Sequence, residues 1–344
     1  MKKLLFFTGI GLLLLATGCN KKGTEQLAGA GATFPLPYYN LAFENFQTTT
    51  GNAVSYGGVG SGGGIRSLKE GVVDFAGSDA FLSDKEASEM KEVIHIPTCL
   101  GAVVLSYNLP NVKNLNLTGD IVADIYLGTI TKWNDPRIQA INKEIALPNK
   151  NITPVYRSDG SGTTFVFSDY LTKVSPVWSE KLGTGKSLNF ATGIAAKGNP
   201  GVAGTVSQTE GAIGYIGSEY AFAQGIAIAA LQNSNNEFIL PSGKSISTAA
   251  AGELPADTRA MITNSPAKGA YPISCFTWIL VYKEQAYSKR TIGQAKVTID
   301  LLNYMLSDAA QNMTEKVHYA PLPKNLIEMS KKNIGKITYE GKKL

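Results

Sequence analysis

Along nearly the whole chain, short apolar segments of strand length alternate with segments whose apolar residues have the spacing of a helix. This alternation limits the possible folds more than any other property of the sequence. The sequence predicts strands at residues 54–56, 75–76, 102–108, 152–156 and 271–282, and helices at residues 65–70, 83–91, 118–126, 163–171 and 297–307. Ser83 and Glu86 match a capping box at the start of one of these helices. Because such alternation is typical of the α/β class, we predict an α/β fold.

Residues 1–19 have the composition of a secretory signal. Lys2 and Lys3 provide a basic start, and the apolar run over residues 4–16 is shorter than the about 20 residues that a membrane span needs. The run ends at small residues before Cys19, as in a lipoprotein signal, although a plain signal peptide or a buried cysteine are alternatives. We predict a signal peptide at residues 1–19, a lipid anchor on Cys19 that holds the protein to a membrane of the cell envelope, and a tether at residues 20–26.

Length and charge predict two lobes and no nucleic-acid partner. The 344 residues exceed what a single core usually serves. The formal charge of +5 includes Lys2 and Lys3, and the other basic residues are scattered rather than clustered. The apolar segments at residues 102–108 and 272–282 are suited to cross between lobes. We therefore predict lobe 1 at residues 27–107 plus 270–344, lobe 2 at residues 108–269, and a ligand cleft between them.

The remaining cysteines and the histidines carry no clear chemical motif. Cys99 and Cys275 each lie inside an apolar segment. The sequence leaves open whether they form a disulfide. The favoured interpretation is that both are small buried residues without a disulfide. His95 and His318 are far apart in sequence, without Cys, Asp or Glu at metal-ligand spacing. We predict neither a metal site nor another cofactor.

Four short segments combine glycine, hydroxyl and charged residues where a predicted strand passes into a helix, the place where open α/β sheets bind ligands. Free N–H groups at a helix start attract an anion, glycine allows its close approach, and arginine adds a planar pair of donors. The segments are residues 29–35 (GAGATFP), 57–64 (GGVGSGGG), 77–79 (GSD) and 157–163 (RSDGSGT). They predict a site for an oxyanion.

Each segment also has a structural explanation. Thr33, Ser61 and Ser161 are suited to cap helices, and Arg157 with Asp159 is suited to a surface ion pair. The glycine run could be a flexible turn, and its formal match to a dinucleotide fingerprint at residues 58–63 lacks a suitably spaced strand and ribose-binding acid.

Two enzyme motifs fail on their spacing. Lys186 follows a glycine as in a phosphate-binding Walker loop, but Glu180 occupies the position of the required first glycine. Ser161 lies between glycines without the spacing of a nucleophile elbow, and the two histidines are the only candidates for its base. Neither an ATP-binding loop nor a serine hydrolase is predicted.

Several blocks in order along the chain resemble the periplasmic phosphate-binding proteins of ABC-type phosphate importers. The resemblance covers about residues 27–324, and its marks include GAGATFP at 29–35, GSDA at 77–80, DIYLG at 124–128, KWND at 132–135, RSDGSGT at 157–163, GAIGY at 211–215 and APLP at 320–323. It implies a type II periplasmic binding protein fold whose two α/β lobes close over one phosphate ion.

The resemblance also implies roles for individual residues. The phosphate-binding set that it implies is Thr33, Phe34, Ser61, Asp79, Arg157, Ser161, Gly162 and Thr163. Asp159 matches the residue that steadies the arginine. Gly62 departs from the family, whose members often have a second serine there, and this puts the outer hydrogen bonds of the glycine loop in doubt.

The expected function is therefore binding of inorganic phosphate outside the cytoplasm and its delivery to the permease subunits of an ABC transporter, by a monomer that is not an enzyme. The alternatives in the same class are binders of another tetrahedral oxyanion or of a small phosphate ester. Outside that class stand a secreted phosphatase using Ser161 or Thr163, and an anchored protein that binds phosphate for sensing or adhesion.

Overall fold

The computed structural model describes residues 24–344, so Cys19 and the predicted signal lie outside the described residues. The strands are β1 (Gln26–Gly31), β2 (Ala53–Gly58), β3 (Phe75–Ser78), β4 (Val93–Tyr107), β5 (Asn116–Leu117), β6 (Thr153–Arg157), β7 (Ile194–Ala196), β8 (Ala212–Gly217), β9 (Ala227–Ile228), β10 (Ala230–Gln232), β11 (Phe238–Ile239), β12 (Ser274–Tyr282), β13 (Thr338–Tyr339) and β14 (Lys342–Lys343).

The helices are α1 (Leu36–Thr50), α2 (Ser61–Lys69), α3 (Asp84–Ser88), α4 (Gly119–Tyr126), α5 (Pro136–Ala140), α6 (Gly162–Val174), α7 (Pro176–Lys181), α8 (Gly198–Gln208), α9 (Ser218–Gln224), α10 (Gly243–Ala249), α11 (Ile292–Met305), α12 (Asp308–Gln311) and α13 (Lys324–Ile334), with a 3₁₀ turn at Glu315–Val317. None of the helices within residues 24–344 combines the length and the hydropathy of a membrane-spanning segment.

Nine strands form one long mixed sheet in the order β2-β1-β3-β12-β4-β8-β6-β7, with β9 paired to β4. Strands β11, β10 and β5 form a small second sheet, and β13 pairs with β14. At one end β1 runs parallel to β2 and β3, and at the other end β6 runs parallel to β7 and β8. Strand β4 joins the two ends, because residues 93–102 pair with β12 and residues 103–107 pair with β8. All of β4 after Val93 is buried, as expected for a central strand covered on both faces.

This topology positions the site. The carboxyl ends of β1, β2 and β3 lead into the loops before α1, α2 and α3, while the carboxyl ends of β6 and β7 lead into α6 and α8. We call these three strands with the loops and helices that follow them the first side, and β6 and β7 with the chain that follows each of them, through α6, α7 and α8, the second side. Polar residues from both sides meet, which is the arrangement expected of a ligand cleft in an α/β protein.

Aromatic side chains fill the core beneath each side. Under the second side, Phe167 stacks on Tyr215 with ring centroids 4.2 Å apart, and Tyr126 packs edge-on against Phe167. The Tyr215 hydroxyl reaches the site, where it accepts the backbone N–H of Arg157 at 3.1 Å and lies 2.8 Å from the Thr164 hydroxyl. The core therefore fixes both the end of β6 and the start of α6.

Local signals agree with the structure at the starts of α3, α4 and α6 and less well elsewhere. Ser83 and Glu86 form the predicted capping box, although α3 ends at Ser88 rather than at residue 91. Strand β4 begins at Val93, nine residues before the predicted strand at 102–108, and α11 begins at Ile292 rather than at residue 297. Strand β1 begins at Gln26, within the predicted tether, since Gln26 pairs with Ala53.

The two cysteines of the described residues are buried free thiols on neighbouring strands. Cys275 lies opposite Gly101 and Cys99 lies opposite Thr277, so the two thiols are diagonal rather than directly paired. Burial raises the pKa of both thiols well above the ordinary range. This agrees with the interpretation of two small buried residues.

Candidate anion-binding site

The structure brings the whole predicted residue set together between the two sides. The Ser61 hydroxyl oxygen of the first side accepts the backbone N–H of Gly162 of the second side at 3.1 Å. Nearby, the Gly62 N–H donates to the Gly160 carbonyl at 2.8 Å. The residues of the binding set are almost fully buried, with Thr33 and Arg157 the most exposed at 5% of the whole residue. The two sides are therefore in contact, and they enclose the polar residues between them.

Three tyrosines orient the loop after β1. The carbonyl oxygens of Ala32, Thr33 and Phe34 accept hydroxyl hydrogens from Tyr56 at 2.9 Å, Tyr220 at 2.6 Å and Tyr319 at 2.5 Å, respectively. The C=O and N–H of a trans peptide point in opposite directions, so holding the Thr33 carbonyl directs the Phe34 N–H the other way. That N–H has no acceptor within residues 24–344. It is free to donate to a ligand.

Ser61 is the first residue of α2 and does not cap that helix through its side chain. Its hydroxyl oxygen accepts the backbone N–H of Asp79 at 3.3 Å as well as that of Gly162. A hydroxyl has two acceptor positions and one hydrogen, so two incoming N–H groups leave the hydrogen to donate elsewhere. Ser61 is thereby set as a donor at the junction of the two sides.

Arg157 forms a buried pair with Asp159, not the surface pair that the sequence also allowed. Its Nε and Nη2 donate to the two carboxylate oxygens at 2.8 and 2.6 Å, and the Arg157 side chain is 1% exposed. Burial acts to raise the pKa of Asp159, but the hydrogen bonds and charge of Arg157 outweigh it and hold that pKa below its ordinary value. Asp159 also accepts the backbone N–H of Gly198 at 2.9 Å. The guanidinium is therefore fixed in one orientation.

Helix α6 adds its first turn to the site. Ser161 is a true cap, because its hydroxyl oxygen accepts the Thr164 N–H at 3.0 Å. The Thr163 N–H has no acceptor within residues 24–344, and the Thr163 hydroxyl oxygen accepts Nη1 of Arg157 at 3.3 Å. A 13-residue helix that begins here contributes partial positive charge at its start.

Asp79 is the acidic residue of the set, 1% exposed at the end of β3. Burial raises its pKa to about 7, and this shift is opposed by a hydrogen bond from Thr277, the charge of Arg157 and the Thr163 hydroxyl. The Thr277 hydroxyl donates to one carboxylate oxygen at 2.8 Å. Near neutral pH the carboxyl is therefore poised between its charged and neutral forms.

Comparison with known proteins supplies the family. The chain matches a family model described as a PBP superfamily domain over residues 20–309. It is 38% identical to a phosphate-binding protein PstS of Xylella fastidiosa strain Temecula1, in an alignment of 88% of this chain and 83% of that protein. A phosphate-binding protein PstS of Pasteurella multocida is 36% identical, with 92% of each chain aligned. The chain belongs to the PstS family of phosphate-binding proteins.

The fold of this family member agrees with solved structures. A high-affinity periplasmic phosphate-binding protein, PfluDING, solved with bound phosphate, superimposes with a TM-score of 0.71 at 21% identity, covering 89% of this chain and 93% of that chain. The prediction of an α/β periplasmic binding protein fold is confirmed.

Sequence reasoning missed three polar residues of the site. Thr277, on β12, is the partner of Asp79, and Tyr220 holds the Thr33 carbonyl. Asn199 hydrogen-bonds residues of both sides. Asn199 follows Lys197 and Gly198, which come after the three-residue strand β7, so a strand-to-helix signal was available, but so short a strand is hard to identify in a sequence. A threonine inside an apolar strand gives no sign of a polar role.

Proposed function

We propose that this protein captures inorganic phosphate between the two sides and delivers it to the permease subunits of an ABC transporter. The observation that carries the proposal is the composition of the buried site. Asp79 is the buried acidic residue at its centre, the hydroxyl and N–H groups around it can donate to an anion, and Arg157 supplies the full positive charge. Membership of the PstS family supports the same function.

The donors suit a tetrahedral oxyanion. Arginine has five N–H donors. Three of the hydrogens of Arg157 go to Asp159 and Thr163, which leaves one hydrogen on each terminal nitrogen for a ligand. The Ser61 hydroxyl and the free N–H groups of Phe34 and Thr163 add donors from both sides of the cleft. Fixed dipoles of this kind hold an anion without a metal ion.

Asp79 gives the site a means to distinguish phosphate from sulfate. Phosphate near neutral pH still carries a proton, and a carboxylate accepts the hydrogen bond from that P–OH group. Sulfate has no such proton, so an ionised Asp79 would face one of its lone pairs in a buried site. The unmade hydrogen bond alone costs about 1–3 kcal/mol. Part of the selectivity therefore comes from repulsion of the wrong anion.

Contacts between the two sides connect binding to closure. In addition to the Ser61 and Gly62 contacts, Lys186 of the second side forms an ion pair with Glu86 of the first side at 2.6 Å. Because the ligand donors are divided between the two sides, phosphate stabilises the closed form over any open form. Closure is the change that a permease would detect.

We propose a binding protein rather than a phosphatase. Ser161 is engaged as a helix cap, and Nε2 of His95 accepts the Leu82 N–H at 3.1 Å. His318 instead stacks against Phe222 with ring centroids 4.7 Å apart. No hydrogen bond within residues 24–344 links either histidine to Ser161 or Thr163. A chromogenic phosphate ester should therefore remain unhydrolysed.

The remaining parts of the proposal concern location and assembly. We propose a lipid anchor on Cys19 at the cell envelope, a monomeric state, and lobes at residues 27–107 plus 270–344 and 108–269. Strand β4, which pairs with β12 in one half of the sheet and with β8 in the other, supports that division. Labelling with a radioactive fatty acid should mark the wild-type protein and not the Cys19→Ser variant.

A calorimetric titration tests the proposed function. The protein, freed of carried-over anion, is titrated at pH 8 with phosphate and then with sulfate. We expect tight one-to-one binding of phosphate and negligible heat with sulfate. Equal binding of the two anions, or binding of neither, would contradict the proposal and point to a different oxyanion or to an ester.

A further inference from the structure

Asn199 is a buried polar residue at the start of α8 and is not one of the groups proposed to contact phosphate. It is 0% exposed. Its Nδ2 donates to the hydroxyl oxygens of Thr33 at 3.0 Å and Thr163 at 3.2 Å, and its Oδ1 accepts the Gly217 N–H at 3.0 Å. Its backbone N–H also donates to the Thr33 hydroxyl oxygen at 3.0 Å. One residue therefore contacts a binding hydroxyl on each side of the cleft.

These bonds determine what the Thr33 hydroxyl can do. Its oxygen receives two N–H groups from Asn199, so both of its acceptor positions are filled. The remaining capacity of the hydroxyl is its single hydrogen. Thr33 can therefore act toward a ligand only as a donor.

The Thr163 hydroxyl is restricted in the same way. Its oxygen receives Nη1 of Arg157 and Nδ2 of Asn199, at 3.3 and 3.2 Å. Its hydrogen is left for Asp79 or for the ligand. Without the Asn199 amide, each threonine would regain an acceptor position and the hydroxyl could turn away from an anion.

The orientation of the amide is itself fixed by the protein. Oδ1 accepts a backbone N–H from Gly217, the last residue of β8, so exchanging Oδ1 and Nδ2 would place two donors against each other. The same exchange would direct a carbonyl oxygen at the two threonines. The assignment of Nδ2 toward Thr33 and Thr163 is therefore the one that satisfies every partner.

We propose that Asn199 is a positioning residue for specificity: it fixes the Thr33 and Thr163 hydroxyls as donors, so that these hydroxyls do not compete with Asp79 as acceptors toward the ligand. The proposal rests on phosphate binding as the function. It extends that function by explaining why flexible hydroxyls, which could accept as well as donate, recognise an anion here.

The test is a double-mutant cycle on phosphate affinity, using Asn199→Asp and Thr33→Val. Asn199→Asp keeps the size and the bond from Gly217 but replaces the donor toward Thr33 with an acceptor, to which the Thr33 hydroxyl would then donate. A hydrogen bond to a charged group corresponds to about 10- to 150-fold in affinity. We expect Asn199→Asp to weaken phosphate binding within or above that range in the wild-type background.

The decisive quantity is the loss of affinity that Asn199→Asp causes in a protein that already carries Thr33→Val. If Asn199 acts through Thr33, that loss should be at least about fivefold smaller than in the wild-type background, because the hydroxyl that it orients is already gone. Repulsion between the introduced carboxylate and the ligand is present in both backgrounds, so it does not produce this difference. Equal losses in the two backgrounds, within about twofold, would overturn the proposal.

Two further measurements keep the outcomes distinct. Thermal melting of each ligand-free variant reports folding, and Asn199→Ala in the same cycle replaces Asn199→Asp if the latter does not fold. A purely structural role predicts lower melting temperatures with additive losses of affinity, which would refute positioning. Failure of the wild-type protein to bind phosphate would refute the proposed function itself, which is a different result from additivity among variants that bind.

Discussion

Gly162 offers a way to obstruct closure without harming either side of the cleft. A Cβ at this position would overlap the Ser61 hydroxyl oxygen and would lie 2.8 Å from the Cβ and N of Asp79. Both neighbours belong to the first side, whereas Gly162 begins α6 on the second. The overlap therefore arises only when the two sides meet, and Gly162→Ala should weaken the closed form while leaving an open form unstrained.

The magnitude follows from the cost of overpacking. One extra carbon forced into a packed site costs about 1–3 kcal/mol, which corresponds to about a 5- to 150-fold weaker phosphate affinity. The ligand-free protein should melt at an unchanged or slightly higher temperature, because alanine is a better helix former than glycine. Calorimetry gives the affinity, and small-angle scattering should show that phosphate compacts the variant less than the wild type.

A matched control is Gly204→Ala in the middle of α8, where a Cβ would meet nothing within 4 Å. This variant should bind phosphate like the wild type. If Gly162→Ala also bound phosphate with wild-type affinity, the contact between Ser61 and Gly162 could not belong to the ligand-bound state. The account of closure would then be incorrect.

Four other predictions concern charge. Asp79→Asn should lower the ratio of phosphate affinity to sulfate affinity at pH 8 by at least about tenfold, because the asparagine amide can donate a hydrogen bond to sulfate. Equal changes in affinity for the two anions would exclude Asp79 as the acceptor of the phosphate proton. Because the pKa of Asp79 is about 7, the fraction of protein with a neutral Asp79, which can donate to sulfate, grows as the pH falls. The sulfate affinity of the wild type should therefore rise about tenfold per pH unit from pH 9 toward 7 and then level off. A sulfate affinity that does not change with pH would contradict this role of Asp79. Arg157→Ala should weaken the binding of phosphate and of sulfate by about 100-fold or more, as measured by calorimetry. Unchanged binding would mean that Arg157 does not contact the ligand. Lys186→Met breaks the ion pair with Glu86 and should weaken phosphate binding about two- to fivefold at low salt. The control Lys69→Met removes an exposed ion pair and should leave phosphate affinity unchanged. Similar affinities for the two variants would mean that the pair between Lys186 and Glu86 does not favour closure.

The sequence predicted the parts of the fold that depend on local chemistry. The capping box at Ser83 and the start of α6 at Gly162 depend on residues within one helical turn; the capping box lies where predicted, and α6 begins one residue before its predicted start. Helix α1 was missed despite its buried aromatic residues, and β4 is longer than predicted. The length of β4 is determined by its pairing with both β12 and β8, which are distant in sequence, so no local pattern contains it.

The same distinction holds for the site. The glycine, hydroxyl and charged residues that follow β1, β2, β3 and β6 could be identified because each strand-to-helix junction has a local signature. Whether the pair of Arg157 and Asp159 is exposed or buried depends on the first side, which covers it in the folded protein. The orientation of the Thr33 hydroxyl likewise depends on Asn199, which is distant in sequence. The raised pKa of Asp79 likewise follows from burial, which a sequence does not show.

A crystal structure of the protein grown with phosphate would show whether the ion lies between the two sides and contacts Asp79. We expect one phosphate ion enclosed between the two sides, with one oxygen hydrogen-bonded to the Asp79 carboxyl and the others to Arg157, the hydroxyls of Thr33 and Ser61, and the N–H groups of Phe34 and Thr163. Phosphate bound elsewhere, or in the cleft without contact to Asp79, would contradict it.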